Sequence, residues 1–162
     1  MARLRLTAFI AGPIEEVYPH VTAYGKDGPL GEDGTIQRLL ELADVPYVGA
    51  GVLSSAVAMD KDVMKKLIGA AGLPTPEYWS LLGGEIDHFI AVRASELPYP
   101  VFVKPANLGS SVGITKVHSS DALGAALELA GEYDRKIMVE KGIDAREIEL
   151  SVLGNEEPIA SV

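Results

Sequence analysis

The stretch from Pro100 to Val117 limits the possible folds more than any other part of the chain. Pro100 to Lys104 (PVFVK) is a short apolar strand ended by Pro105. A loop of glycines and serines spans Ala106 to Gly113, and Ile114 to Val117 is extended again. Strand, loop and strand make a hairpin, since parallel strands need a longer crossover. A strand–loop–helix unit is thereby excluded here, and three familiar site patterns fail with it. No G-x-x-x-x-G-K-[ST] occurs, so the chain is not a P-loop nucleotide hydrolase. Gly109 to Gly113 fits G-x-S-x-G, but that nucleophile elbow must run into a helix with its histidine far downstream. The last histidine is His118, close behind Ser111. Gly49-Ala50-Gly51 is followed by Ser54 where a dinucleotide fingerprint needs glycine.

The remaining segments read as mixed α/β. Thr35 to Ala43 places Ile36, Leu39, Leu40 and Ala43 at helical spacing. Val45 to Val48 is a short apolar run, expected as a buried strand, although Pro46 weakens it. Asp60 to Ala71 is the clearest helix: Asp60 can accept from first-turn amides, Val63, Met64, Leu67 and Ile68 form one apolar stripe, and Gly72 and Pro74 end it. Leu73 to Pro76 is an extended linker. Ser119 or Ser120 is expected to cap a helix through Leu123, Leu127 and Ala130, ending near Gly131. Lys136 to Glu140 (KIMVE) is a buried strand. Glu147 to Leu153 alternates, with Ile148, Leu150 and Val152 on one face, so it is expected as a strand. The order suggests an antiparallel sheet in the second half. Residues 1–33 are the least regular part.

Composition narrows the function. There is no cysteine, which excludes a disulfide framework, a thiolate metal site and a thiol nucleophile. The formal net charge of −9 argues against a nucleic-acid surface or a polybasic membrane contact. No apolar run approaches the roughly 20 residues of a spanning helix. The short apolar stretch in Met1 to Ala11 is broken by Pro13 and Glu15-Glu16, so it does not read as a signal peptide. A cytoplasmic enzyme or binding domain remains.

Four clusters carry candidate chemistry, each with a plainer reading beside it. Lys104 ends a buried strand before the Gly/Ser loop, where backbone amides and hydroxyls can approach an anion. An ammonium about 4 Å from a phosphate is attracted by about 4 kcal/mol at an effective dielectric near 20. A hairpin loop with a surface lysine has the same pattern. Glu140-Lys141-Gly142-Ile143 leaves a buried strand and exposes backbone donors and acceptors suited to an adenine edge, while Glu147 on the next polar face can accept from ribose hydroxyls. An ion pair and a solvated carboxylate are the alternative. Lys61 sits in the first turn of a helix, where the dipole is already positive and an anion would relieve it. An exposed lysine costs only a few tenths of a kcal/mol there. Glu32 and Asp33, between Gly31 and Gly34, suit either a helix cap or a cationic amine. His20, His88 and His118 show no ligand spacing and are given no metal role.

Five segments in order, GPLGEDGTIQ (Gly28 to Gln37), LLELADVPYVGAGVLSSAVAMDK (Leu39 to Lys61), AGLPTP (Ala71 to Pro76), VFVKPANLGSSVGITKV (Val101 to Val117) and VEKGIDAREIELSVLGN (Val139 to Asn155), resemble the D-alanine–D-alanine ligase family of the ATP-grasp superfamily. Leu81 to Tyr99 is a variable patch within that likeness. The resemblance implies a central ATP-grasp subdomain at 53–139, a remnant of a Rossmann-like N-terminal domain at 1–52, and the first strands of a C-terminal subdomain at 140–162. It also implies site roles. Lys61 and Lys104 look like two phosphate-binding lysines. Gly109, Ser110, Ser111, Val112 and Gly113 look like the loop that covers the phosphates, with Ser110 orienting the first D-alanine. Glu140, Lys141 and Ile143 look like adenine contacts and Glu147 like the ribose ligand, while Glu32 lines the substrate end of the cleft.

The implied cofactors are ATP and Mg2+, the substrate is D-alanine, and the implied assembly is a homodimer. In the implied reaction ATP phosphorylates one D-alanine carboxylate and the amine of a second attacks the acyl phosphate, for peptidoglycan precursor synthesis. Catalysis of that kind is positioning and charge neutralisation, which needs no side-chain nucleophile. Another ATP-grasp carboxylate–amine ligase, a D-alanine–D-lactate ligase, and a noncatalytic nucleotide-binding module are the alternatives. Met1 to Ala11 does not show the family's opening glycine-rich turn, the family usually has His-Gly before the proline whereas here Asp27 precedes Gly28, and Tyr24 to Lys26 look inserted. The family's metal-binding carboxylates and asparagine come from a C-terminal region beyond this sequence, so no metal ligand is assigned and the chain alone is expected to be nearly inactive.

Overall fold

A computed structural model of the chain describes residues 33–109, 111–154 and 157–161. Among them the elements run α1 (Thr35–Leu42), α2 (Val52–Met59), α3 (Lys61–Ala70), β1 (Tyr78–Leu82), α4 (Ile86–Arg93), β2 (Val101–Pro105), β3 (Thr115–Val117), α5 (Leu123–Tyr133), β4 (Lys136–Lys141), β5 (Val152–Leu153) and β6 (Ile159–Ala160). Short 3-10 turns, Gly83–Glu85 and Ser120–Ala122, lead into α4 and α5. Thr115 pairs with Val103 and Val117 with Val101, so the hairpin read from Pro100 to Val117 forms.

One antiparallel sheet has the order β1-β4-β2-β3. Strand β4 is inside it, paired with β1 from Tyr78–Glu140 to Leu82–Lys136 and with β2 from Val101–Lys141 to Pro105–Ile137. A strand paired on both edges needs little polar surface, which is why KIMVE can bury Ile137, Met138 and Val139 completely. The period of two then sorts residues onto two faces. Val101, Val103, Val117, Ile137 and Val139 join Leu123, Ala126, Leu127 and Ala130 of α5 and Phe89 of α4 in the hydrophobic core. Across the register, Tyr78, Glu140, Phe102 and Lys116 share the other face with Ser80, Met138 and Lys104. Helix α3 lies over that face, its Lys65 ammonium 5.4 Å from the Tyr78 ring centre.

Several expectations are corrected. Val45 to Val48 is not a strand, and Val45 and Val48 are both exposed. No described strand lies beside it, and a strand exists only through its pairing. Glu147 to Leu153 shrinks to Val152–Leu153, paired with Ile159–Ala160. Residues 147–151 form no strand, although Ser151 exchanges hydrogen bonds with Ser161 beside that short pair. Helix α5 continues through Gly131 to Tyr133, and no Ser119 side chain caps the turn before it. The stripe read on α3 is not its most buried face: Leu67 is exposed, while Asp62 and Lys65 are buried.

Candidate functional site

Helix α3 is anchored at its start by acids. The Asp60 Oδ1 accepts from the backbone amides of Asp62 and Val63, both at 3.1 Å, an N-cap that satisfies two first-turn donors. Its Oδ2 accepts from Lys136 Nζ at 2.5 Å, which ties the helix to the first residue of β4. Burial alone would raise the Asp60 carboxyl. The hydrogen bonds from Lys136 and the two amides, with the Lys136 charge, outweigh it and hold the group below its ordinary value. Lys136 therefore has a structural role that its place in KIMVE did not reveal.

That anchor places Lys61 against the chain leaving β2. Its backbone amide donates to the Ala106 carbonyl at 3.1 Å. Its ammonium donates to the carbonyls of Pro105 at 3.2 Å, Ala106 at 3.1 Å and Leu108. Lys61 thus holds the chain that directly follows Lys104, 43 positions away in sequence, at the root of the Gly/Ser loop.

The loop is pinned at both ends. At its entry Asp134 Oδ2 accepts from the backbone amide and the side-chain amide of Asn107, both at 2.8 Å, while its Oδ1 accepts from the Lys136 amide at 3.1 Å. At its exit Gly113 has φ +67°, and a Cβ there would stand 2.8 Å from the Tyr133 ring and 2.9 Å from Pro105 Cγ. Only glycine fits so close an approach at a left-handed φ. Between these points Ser111, at φ 61°, and Val112 face solvent. The Val112 amide donates to Gly109 O at 3.2 Å.

Lys104 projects from β2 onto the polar face, and side-chain exposure there is only 11%. Glu140 stands diagonally opposite on β4, a cross-strand placement that brings long side chains into reach. Lys104 Nζ meets Glu140 Oε2 at 2.7 Å, and Lys65 Nζ meets the same oxygen at 3.3 Å. One carboxylate thus serves two buried ammonium groups. Such a trio carries a net positive charge in a partly dry setting, the condition for drawing in an anion.

Beyond β4, the Lys141 amide donates to Glu77 O at 2.9 Å and the Gly142 amide to Pro100 O at 2.8 Å. A Cβ on Gly142 would lie 2.6 Å from that Pro100 oxygen, so glycine permits the crossing. Among the described residues none accepts from the Ile143 amide, which lies just past this crossing, and the Ile143 side chain is half exposed. Glu147 is exposed on the irregular chain that follows.

The candidate residues therefore divide. Lys61 meets the loop's entry just after Lys104, Lys104 meets Glu140 on the sheet face, Lys141 and Ile143 lie at the exit of β4, and Glu147 lies farther along. Ser110 and Glu32 fall outside the described residues. Sequence reasoning missed Lys65 and Asp134. The i, i+4 spacing of Lys61 and Lys65 on one helix was the available signal for the first, and an acid between α5 and β4 for the second. Among the described residues no three His, Cys, Asp or Glu side chains converge as a metal-ligand group. A magnesium site is not furnished by them. No described helix is long and apolar enough to cross a membrane.

A family model described as "D-ala D-ala ligase C-terminus" matches residues 67–162, more than half the chain. The chain is 59% identical over 152 residues to the D-alanine–D-alanine ligase of Thermoanaerobacter sp. strain X514, covering 93% of this chain and 41% of that protein. It is 54% identical over 153 residues to that of Bacillus velezensis, covering 92% and 42%. Among solved structures it is similar to the VanG D-Ala:D-Ser ligase from Enterococcus faecalis, with TM-score 0.76, 43% identity, and coverage of 82% of this chain and 39% of that one. The D-alanine–D-alanine ligase from Coxiella burnetii gives 0.70 and 40%, over 83% and 38%. The chain spans about two fifths of the length of these relatives.

Proposed function

The chain belongs to the D-alanine–D-alanine ligase family, and from that premise we propose that it carries the nucleotide-gripping part of an ATP-dependent carboxylate–amine ligase. The whole protein would join two D-alanine molecules through an acyl phosphate, in the cytoplasm, for peptidoglycan precursors. The observation that carries this reading is that Lys61 holds the entry to the Gly/Ser loop immediately after Lys104, whose ammonium lies largely buried beside Glu140.

In this reading the two ammonium groups offset the charge of the triphosphate, and the loop from Gly109 to Gly113 would cover it. The chain leaving β4 holds the base through backbone groups near Lys141 and Ile143. Glu147 receives the ribose hydroxyls. Ser110 would orient the first D-alanine, and Glu32 would line the substrate end. The work of these groups is binding and alignment, holding a carboxylate in line with the terminal phosphate. Magnesium, where bound, would lower the charge on the transferring group. Its ligands belong to the family's C-terminal region, so no step here is assigned to it. The corresponding division is a central ATP-grasp subdomain at 53–139 between parts of two neighbours, 1–52 and 140–162, in a protein that works as a homodimer.

ADP release on addition of D-alanine, with chromatographic detection of D-alanyl-D-alanine, tests the activity on the whole protein. Absence of both products in the presence of ATP and magnesium would overturn it. The likeness to a D-Ala:D-Ser ligase makes the acceptor a separate question. Competition among D-alanine, D-serine and D-lactate as acceptors answers it, with D-alanine expected to dominate.

A further inference from the structure

We propose that Lys65 is a positioning residue of the nucleotide site: it holds the Glu140 carboxylate, so that the Lys104 ammonium is left to face an anionic ligand. The inference rests on the polyphosphate reading above and assigns a group which that reading does not use.

The geometry states a problem and its solution. Lys104 Nζ lies 2.7 Å from Glu140 Oε2, a close pair on one sheet face. If that carboxylate had no other cation, Lys104 would have to leave it unpaired in order to meet a phosphate, and an unpaired, largely buried carboxylate is costly. Lys65 removes the conflict. It reaches the same oxygen from α3 at 3.3 Å and is only 7% exposed. Its ammonium also lies 5.4 Å from the Tyr78 ring centre, which confines it to this position. Burial pushes the Lys65 ammonium below the usual lysine range, the Glu140 charge works against that, and the Lys104 charge adds to it. A lysine held in so unfavourable a place, beside a second lysine, is explained by what it does for the carboxylate between them.

Lys65 does not touch the ligand in this scheme; it acts through Glu140. Removing it should therefore weaken ATP binding only while Glu140 is charged. Titration calorimetry on the whole 162-residue chain, with ATP and with adenosine, reads this directly. Lys65→Met is expected to weaken ATP binding about tenfold, since a charge pair loses one partner, with adenosine affinity unchanged. In a Glu140→Gln background, the same Lys65→Met change is expected to alter ATP affinity by less than about twofold, there being no charge left to hold. The double variant buries no unpaired carboxylate, so this second comparison stands even if Lys65→Met alone unfolds. Equal losses for ATP and adenosine would make Lys65 a packing residue and overturn the proposal. A tenfold ATP loss that persists in the Glu140→Gln background would overturn it too. If the wild-type chain binds ATP no better than adenosine, the polyphosphate reading itself fails, and this inference with it.

Discussion

The two faces of the central sheet do different work with the same strands. On one, Val101, Val103, Ile137 and Val139 meet Leu123, Leu127 and Ala130 of α5 with no polar side chain among them. On the other, alternate residues of those strands present Lys104, Glu140 and Tyr78 to a helix whose most buried side chains are Asp62 and Lys65. Apolar packing is nondirectional and gives cohesion. The charged face is held by a few directed contacts, each needing its partner. Stability therefore resides mainly on the α5 side and recognition on the α3 side, and substitutions on the two faces should fail in different ways.

The largest effect is expected in the core. Leu127→Ala removes a fully buried side chain and should cost about 2–5 kcal/mol of unfolding free energy. The remaining folded protein should keep its ATP affinity, as chemical denaturation paired with calorimetry will show. A large affinity loss without a stability loss would erase the distinction between the faces.

Gly113→Ala alters the exit of the loop, against Tyr133 and Pro105. A left-handed φ costs a non-glycine residue about 1–2 kcal/mol, and the contacts with Tyr133 and Pro105 leave the Cβ no room. The expected result is a modest fall in melting temperature together with weaker ATP binding, because the loop exit shifts. A variant with both quantities unchanged would mean the loop is not set by this crossing.

Asp60→Ala removes the α3 cap and the partner of Lys136, with an expected cost of about 1 kcal/mol. Its pH dependence has a definite sign. The Asp60 carboxyl is held below its ordinary value, so its contribution is present above the unfolded value near 3.9 and lost as pH falls through the lower folded value. Wild type and variant should therefore differ in stability near neutrality and converge on acidification below about pH 4. A gap that stays constant into acid would remove the Asp60–Lys136 tie. The smallest effect is expected at Leu153, exposed in β5: Leu153→Ala should change stability by no more than about 0.5 kcal/mol.

How far these faces were legible in the sequence depended on how local their signals are. The Asp60 cap and the apolar run at 136–140 are spelled out within a few residues, and both formed. So did the hairpin around Pro105, whose proline and glycines mark its turn. Helix α2 was missed because VLSSAVAM is apolar nearly all round and shows no stripe. Helix α4 lies in a segment passed over as variable, although Ile86, Phe89 and Ile90 carry helical spacing. The runs at 45–48 and 147–151 had the pattern of strands but do not form them.

The site divided along the same line. Lys61 and Lys104 could be nominated from their local setting. Lys65–Glu140 and Asn107–Asp134 span 75 and 27 positions, and only the folded register makes them neighbours. Charge at a helix start or a strand end says that a side chain is available. It does not say which carboxylate will claim it.

ATP titration into the Lys104→Ala chain, with Lys66→Ala as the control, tests most directly whether the α3 side of the sheet is an anion site. Lys66 is an exposed lysine paired with Asp62 one turn earlier on the same helix, whereas Lys65 can keep Glu140 paired when Lys104 is lost, so both variants should fold. Lys104→Ala is expected to weaken ATP binding by at least about tenfold and Lys66→Ala by less than about twofold. Equal affinities for the two variants would contradict the assignment of Lys104, and with it the division of labour between the faces.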